Sequence, residues 1–168
     1  VRGLTDLFDA DLVIDATGEE AVSEMINAMR LDRGTDTPVL HVRVRGNGEC
    51  VQTFWAQARE LGCFRCLLQA DHKNYRQERY PVLKEQPRRK QLGCNGFTPY
   101  AVSAPMSAAA LCMEVVVDWL QSGRASPRFR TSATANANVY GVKNQDVKRL
   151  AGCPACGLRD AHAPTVSS

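Results

Sequence analysis

Ala10-Asp11-Leu12-Val13-Ile14-Asp15-Ala16-Thr17 is a short apolar run with polar ends, and Thr17-Gly18-Glu19-Glu20 continues it directly. The run has the pattern of an inner strand of a parallel sheet, apolar because both faces are covered. The continuation spells a capping box, threonine with glutamate three positions on, and Ala21, Val22, Met25, Ile26 and Met29 share one helical face beyond it. A strand that hands over directly to a helix predicts an α/β fold. In open α/β sheets ligands sit in the crevice at the carboxyl ends of the strands, which makes Asp15, Thr17 and Gly18 candidate binding residues. The same residues also suit a capped surface helix preceded by a solvated acid.

Working outward, residues 38–45 alternate and are rich in valine, Gly46-Asn47-Gly48 is a turn signal, and residues 49–55 return as a second strand. Residues 71–90 lose periodicity and carry Lys73, Arg76, Arg79, Lys84, Arg88, Arg89 and Lys90 against Asp71, Glu78 and Glu85, the composition of a long loop. A helix follows, with Met106, Ala109, Ala110, Met113, Val116, Val117 and Leu120 on its apolar face and Gly123 at its stop. Residues 128–135 and 145–150 read as two more short strands, and residues 160–168 as a frayed tail.

Gly62-Cys63-Phe64-Arg65-Cys66 and Gly152-Cys153-Pro154-Ala155-Cys156 hold four of the seven cysteines. Two Cys-x-x-Cys turns can bring four thiolates onto one tetrahedral ion, so Cys63, Cys66, Cys153 and Cys156 predict a structural zinc site. Such a site would fasten the end of the chain to its middle, and Gly62 and Gly152 would ease the tight approach. Two short-loop disulfides or a redox dithiol are the competing readings. A Cys-x-x-Cys disulfide closes too small a loop to stabilise much, and no secretory signal is recognisable, so a reducing, cytoplasmic setting is expected. Cys50 and Cys112 read as core packing.

At 168 residues and 44% hydrophobic, the chain can bury one core. A net charge of +3 does not by itself indicate nucleic acid, and Tyr75 and Tyr80 in the basic loop make a poor stacking platform. No apolar run reaches the roughly 18 residues of a membrane span. The chain opens on Val1 and runs quickly into its first strand, the look of a piece of a longer polypeptide.

Cys94, between Gly93 and Asn95-Gly96, follows Arg88-Arg89-Lys90 and precedes the long helix. Positive charge and nearby backbone N–H groups favour a thiolate, and the glycines leave room for a bulky acyl group, so Cys94 is the candidate nucleophile. His41, His72 and His162 are all distant from it in sequence, so a base would have to come from the fold.

Together these residues resemble the ThiF/MoeB/HesA family, the ubiquitin-activating-type adenylating enzymes, over most of residues 8–158. The similar elements are Asp11-Leu12-Val13-Ile14-Asp15-Ala16-Thr17 with Ile26-Asn27 in the following helix, Thr37-Pro38-Val39 opening the next strand, Gly62-Cys63-Phe64-Arg65-Cys66-Leu67 and Gly152-Cys153-Pro154-Ala155-Cys156-Gly157. The resemblance implies part of a Rossmann-like fold with a mixed sheet, residues 1–158 forming its C-terminal portion with a crossover loop at about 68–98. It implies an enzyme that uses ATP and Mg2+ to adenylate the C-terminal glycine of a ubiquitin-like or sulfur-carrier protein, with capture of the acyl group on a loop cysteine at the position of Cys94. It also implies a homodimer and, in bacterial members of phage-defence operons, a conjugating-enzyme-like partner domain. A non-catalytic docking module for a ubiquitin-like tail is the alternative. The acid that usually follows the threonine is Gly18 here, with Asp15, Glu19 and Glu20 nearby, and the family's Gly-rich ATP fingerprint belongs to a region upstream of these motifs.

Overall fold

The computed structural model describes residues 2–57, 61–70, 76–92, 95–142 and 144–157. A 3-10 helix, Arg2–Asp9, leads into strand β1 (Val13–Asp15), helix α1 (Glu20–Arg33), and strands β2 (Val39–Arg45) and β3 (Cys50–Ala56). A 3-10 turn at Phe64–Leu67 precedes the short strands β4 (Leu68–Ala70), β5 (Arg76–Glu78), β6 (Lys90–Leu92) and β7 (Asn95–Phe97). Helix α2 (Ser103–Ser122) and strand β8 (Phe129–Ala133) complete the order.

The main sheet is four-stranded in the order β1-β2-β3-β8. β1 runs parallel to β2, with Asp15 opposite His41, while β3 is antiparallel to both β2 and β8. The expected hairpin therefore forms, turned by Gly46 and Gly48 at φ +63° and +93°. β1 is parallel as expected but lies at the sheet's edge and not inside it, which leaves Ile14 49% exposed.

Alternation along β2 and β3 sorts side chains to two faces. On one, α1, Phe54, Phe64, Phe129 and the cysteine turns form a single core; on the other, Leu40, Val42, Val51 and Trp55 pack on Ala108, Leu111, Cys112 and Val115 of α2. The sheet is thus the middle of three layers.

The helices keep only part of the expected faces. On α1, Ile26 is buried and Val22 and Met29 pack against the core as expected, joined by Ser23, Asn27, Arg30 and Leu31, whereas Met25 points outward. Its N-cap is Glu19 with no side-chain cap, so the capping box does not form: Thr17 Oγ1 instead donates to Asp15 and accepts from the Glu19 N–H. α2 ends at Gly123 as expected, in the left-handed region at φ +70°. It buries Ala104, Ala108, Leu111, Cys112 and Val115, whereas Met106, Met113, Val117 and Leu120 face outward. A helix apolar nearly all round gives periodicity no single stripe to choose. With a mean hydropathy of 1.3, α2 is long and apolar enough to cross a bilayer by length and composition, but Glu114 and Asp118 interrupt its apolar run and one of its faces packs on the sheet.

The basic loop is not structureless among the described residues: β4 pairs with β5, β6 with β7, and Leu83 bridges Val139. Tyr80 packs at a tilt against Phe129, with ring centroids 5.6 Å apart. Residues 145–150 form no strand, only a bridge from Gln145 to Phe129. Lys73, Tyr75, His72, Cys94, His162 and the tail at 160–168 lie outside the described residues.

Candidate functional site

Two features stand out: a cysteine centre in the core with α1, and a groove lined in part by Val42, Ala108 and Cys112 of the core beneath α2. The first is the cysteine centre. The Cys63 and Cys66 sulfurs are 3.9 Å apart, Cys63 is 3.8 Å from Cys153, and Cys66 is 3.5 Å from Cys156. All four are buried free thiols with sulfurs within 4.8 Å of one another, an arrangement that could hold a metal ion. A tetrahedral ion with metal–sulfur bonds of about 2.3 Å sets its sulfurs about 3.8 Å apart, so the donor set and spacing fit. Hydrogen bonding, first to Cys153 and then to Cys156, pushes the Cys63 and Cys66 thiols far up, because crowded sulfurs cannot all ionise without a cation. Described cysteines form no disulfide, and Cys50 and Cys112 are buried core thiols, with burial raising Cys50 to about 11.

The backbone is shaped for this convergence. A Cβ on Gly62 would come within 2.9 Å of Cys66 Cβ and two carbonyl oxygens, while Gly152 adopts φ +74°. Gly157, unremarked in the sequence beyond its place in the motif, is the tightest: a Cβ there would lie 2.7 Å from the Cys153 nitrogen. The Leu150 N–H donates to Cys66 Sγ at 3.4 Å, and the Arg79 guanidinium donates to the Cys66 and Lys148 carbonyls, clamping the two turns together. Gly157→Ala should therefore leave the fold recognisable and speed metal loss to a competing chelator, by about 10–100-fold if it acts as supporting-shell changes do. Chelator-competition kinetics read this directly.

The second feature lies at the carboxyl end of β1. Ala16, Thr17, Gly18, Val42, Phe97 and Ala108 are among the residues lining a groove of about 910 Å³, closed on one side by the segment after β6 and on another by α2. Arg43, Arg45 and Arg89 line it against a single acid, Glu19. Burial lowers Arg43 to about 10, so it remains a cation at neutral pH. Asn47 in the hairpin turn donates to the Arg88 and Pro99 carbonyls and accepts from the Arg88 N–H, pinning the segment that covers the groove.

Of the candidate binding residues, Thr17 and Gly18 line the groove, but Asp15 sits behind it, 3% exposed. It is no solvated acid. One oxygen accepts from the Thr17 N–H and hydroxyl, at 3.2 and 2.7 Å; the other accepts from Ser23 and from His41 Nδ1, at 2.5 and 2.8 Å. Burial alone would raise the Asp15 pKa, but the hydrogen bonds from His41, Ser23 and Thr17 win and hold it well below the usual carboxylate range. Burial pushes His41 below its ordinary value despite the Asp15 carboxylate, so it is neutral at pH 7. His41 is the residue that a reading of histidines one at a time misses. The signal was available in register: if β1 and β2 are parallel neighbours, Ile14-Asp15 and Leu40-His41 lie side by side.

No protein-family model matches the sequence. Among curated proteins, the chain is 31% identical over 152 residues to the ATP-dependent ubiquitin transferase-like protein Cap2 of Pseudomonas aeruginosa, a match covering 89% of this chain and 27% of Cap2. Among solved structures it is similar to E. coli MccB determined with ATP, with a TM-score of 0.59 and 14% identity over 92% of this chain and 43% of that one. The heterocyclase TruD gives a TM-score of 0.54 and 18% identity over 96% of this chain and 26% of that one. The chain thus spans about a quarter of the length of Cap2 and less than half that of MccB. At such identities the structures carry the fold alone, a mixed α/β architecture of the Rossmann-like MccB kind. The Cap2 sequence match makes this chain a member of the ThiF/MoeB-type, ubiquitin-activating-like family, corresponding to a portion of its longer relatives, and the fold agrees with it.

Proposed function

We propose that the chain is the C-terminal part of a ubiquitin-activating-like enzyme that adenylates the C-terminal glycine of a ubiquitin-like or sulfur-carrier protein and passes the acyl group to Cys94 as a thioester. The observation that carries the reading is the groove: a channel about 910 Å³ in volume, bounded by small residues, rich in arginine and ending at a strand-end loop, suits an extended tail with a carboxylate at its tip. Arg43 and Arg89 offer that carboxylate positive charge, and Gly96, Phe97 and Thr98, next to Cys94 in sequence, lie along the channel wall. ATP with Mg2+ supplies the activating adenylyl group. The Cys94 thiolate then attacks the acyl carbon, the C–O bond to AMP breaks, and AMP leaves with the electron pair. Residues 1–158 act as one unit with its crossover loop at about 68–98, and Asp15 supports Thr17 and Gly18 from behind.

Zinc is the metal proposed for Cys63, Cys66, Cys153 and Cys156, because four thiolates at tetrahedral spacing favour it and leave no open position for catalysis. The outward apolar stripe of α2 supports a homodimer or a conjugating-enzyme-like partner, and the free thiols support a cytoplasmic setting. A docking module without chemistry is the second reading. It is favoured by one observation: Gly18 stands where an acid is usual, and the carboxylate behind it, Asp15, is already saturated, which leaves Glu19 as the acid on the groove among the described residues.

The test uses the full-length polypeptide with a glycine-ending ubiquitin-like partner. ATP-dependent pyrophosphate exchange and a thiol-sensitive adduct lost in Cys94→Ala are expected. Exchange without an adduct removes the thioester step, and neither signal supports the docking module. Residues 1–168 alone, which contain no Gly-rich dinucleotide fingerprint, should show no micromolar ATP binding by calorimetry.

A further inference from the structure

We infer that His41 is a positioning residue that couples the four-cysteine centre to the strand-end loop bordering the groove. The inference rests on the metal reading of the cysteines and on the groove being a binding site, but not on adenylation.

The path is continuous and short. Phe64 lies inside the first Cys-x-x-Cys turn, where its N–H is held at 3.1 Å by Asn27 Oδ1 of α1. Its ring packs on the imidazole of His41 with centroids 4.5 Å apart. His41 Nδ1–H donates to Asp15 Oδ2, and the other oxygen of the same carboxylate holds both the backbone N–H and the hydroxyl of Thr17. Gly18, next along, is in the left-handed region at φ +70° and lines the groove with Thr17. A displacement of the metal-bearing turn thus reaches the groove through one ring contact and one carboxylate. A second limb leaves the same ring: the Arg43 guanidinium lies 6.0 Å from the Phe64 centroid, and Arg43 both lines the groove and donates to the buried Gln52 at 3.0 Å.

Histidine is the residue type that performs both jobs at this position. Phenylalanine would fill the site and stack on Phe64 but offer Asp15 no donor; serine would donate but not stack. His41 Nε2, by contrast, is buried without a hydrogen-bond partner among the described residues, so the ring is not held by a complete polar network. A cavity of about 40 Å³, lined by His41, Phe64, Ser23 and Gly18 among others, lies beside it. Phe54 flanks the ring at 6.2 Å, so the ring takes its position from Phe54, Phe64 and Asp15, and the loop takes its own from Asp15. By linkage, coupling of this kind is reciprocal: a ligand that holds Thr17 and Gly18 would also change the affinity of the cysteines for their ion.

The experiment replaces zinc with the larger cadmium in isotope-labelled protein and follows backbone amide resonances, a readout independent of activity. In the native protein the amides of Phe64, Thr17 and Gly18 are expected to shift together, while amides on the outer face of α2 stay still. In His41→Phe, which keeps the stack and loses the donor, Phe64 should still respond and Thr17 and Gly18 should fall to the level of surface amides. His41→Asn, which keeps a donor and loses the stack, should uncouple them as well and serves if the first variant fails to fold. Thr17 and Gly18 unmoved in metal-exchanged native protein, or as responsive in a folded His41 variant as in the native one, would overturn the coupling. Protein that takes up no metal overturns it together with the metal reading, whereas loss of adenylation alone leaves it standing.

Discussion

Cys66→Ser is expected to lose the metal and, with it, the cooperative unfolding transition near physiological temperature. Cys66 is fully buried, touches Cys63 and Cys156, and accepts from the Leu150 N–H, so the centre has no spare donor to replace it. Structural zinc binding is worth about 10–16 kcal/mol in finger peptides, against about 5–15 kcal/mol for the whole net stability of an ordinary domain. Phe64, Val147, Cys153 and Cys156 belong to the same core as α1 and β3, so loss of the ion loosens more than the two turns. Metal content after gel filtration and a thermal melt check this together. Cys50→Ala, which changes a buried cysteine outside the centre, should retain full metal with only a modest loss of stability.

The second large effect is predicted for Asp15→Ala. It removes the acceptor for two buried donors, Ser23 and His41, and for two partly buried ones on Thr17. Each buried donor left unpaired costs about 1–3 kcal/mol, which puts the loss for the two at roughly 2–6 kcal/mol. Asp15→Asn should do little better, because its amide nitrogen would face hydroxyl or imidazole donors. The same pair sets a pH dependence. His41 has a folded pKa below its ordinary 6.5, so the unfolded chain binds a proton that the native one refuses, and stability falls as pH drops below about 6.5, by up to about 1.4 kcal/mol per unit for one proton. Asp15 is depressed from 3.8, so its contribution is present above about pH 4 and is lost below it, down through its folded value. Urea unfolding between pH 4.5 and 8 should therefore show declining stability on the acid side in the native protein and a flatter profile in His41→Phe.

What could be read in the sequence were features fixed by local chemistry: the strand-to-helix handover at Asp15–Glu20, the glycine-turned hairpin, and the two cysteine pairs, whose sulfurs the fold brings within 4.8 Å of one another. What could not be read depended on neighbours far along the chain. β1 has the composition of an inner strand, yet its outer edge carries no partner strand among the described residues, so Ile14 is half exposed. α2 offers two apolar stripes, and the one chosen by the sheet contains alanines and Cys112, small enough for the helix to lie close to Leu40 and Val42. Thr17 looked like a cap because capping and carboxylate binding use the same hydroxyl, and here Asp15 takes it. His41 became meaningful only when parallel pairing set it beside Asp15. The basic segment looked irregular because its strands are three residues each, too short to show a period.

Four buried sulfurs at tetrahedral spacing are the hinge of the account, since they tie residues 62–66 to residues 152–157 and hold Phe64 against His41. Native mass spectrometry of anaerobically purified protein, followed by cobalt replacement and visible spectroscopy, addresses them most directly. The account predicts one zinc per chain and, after exchange, the absorption bands of a tetrahedral four-thiolate cobalt centre. Protein that is fully folded with no bound metal, or a cobalt spectrum with fewer than four thiolate ligands, would contradict it.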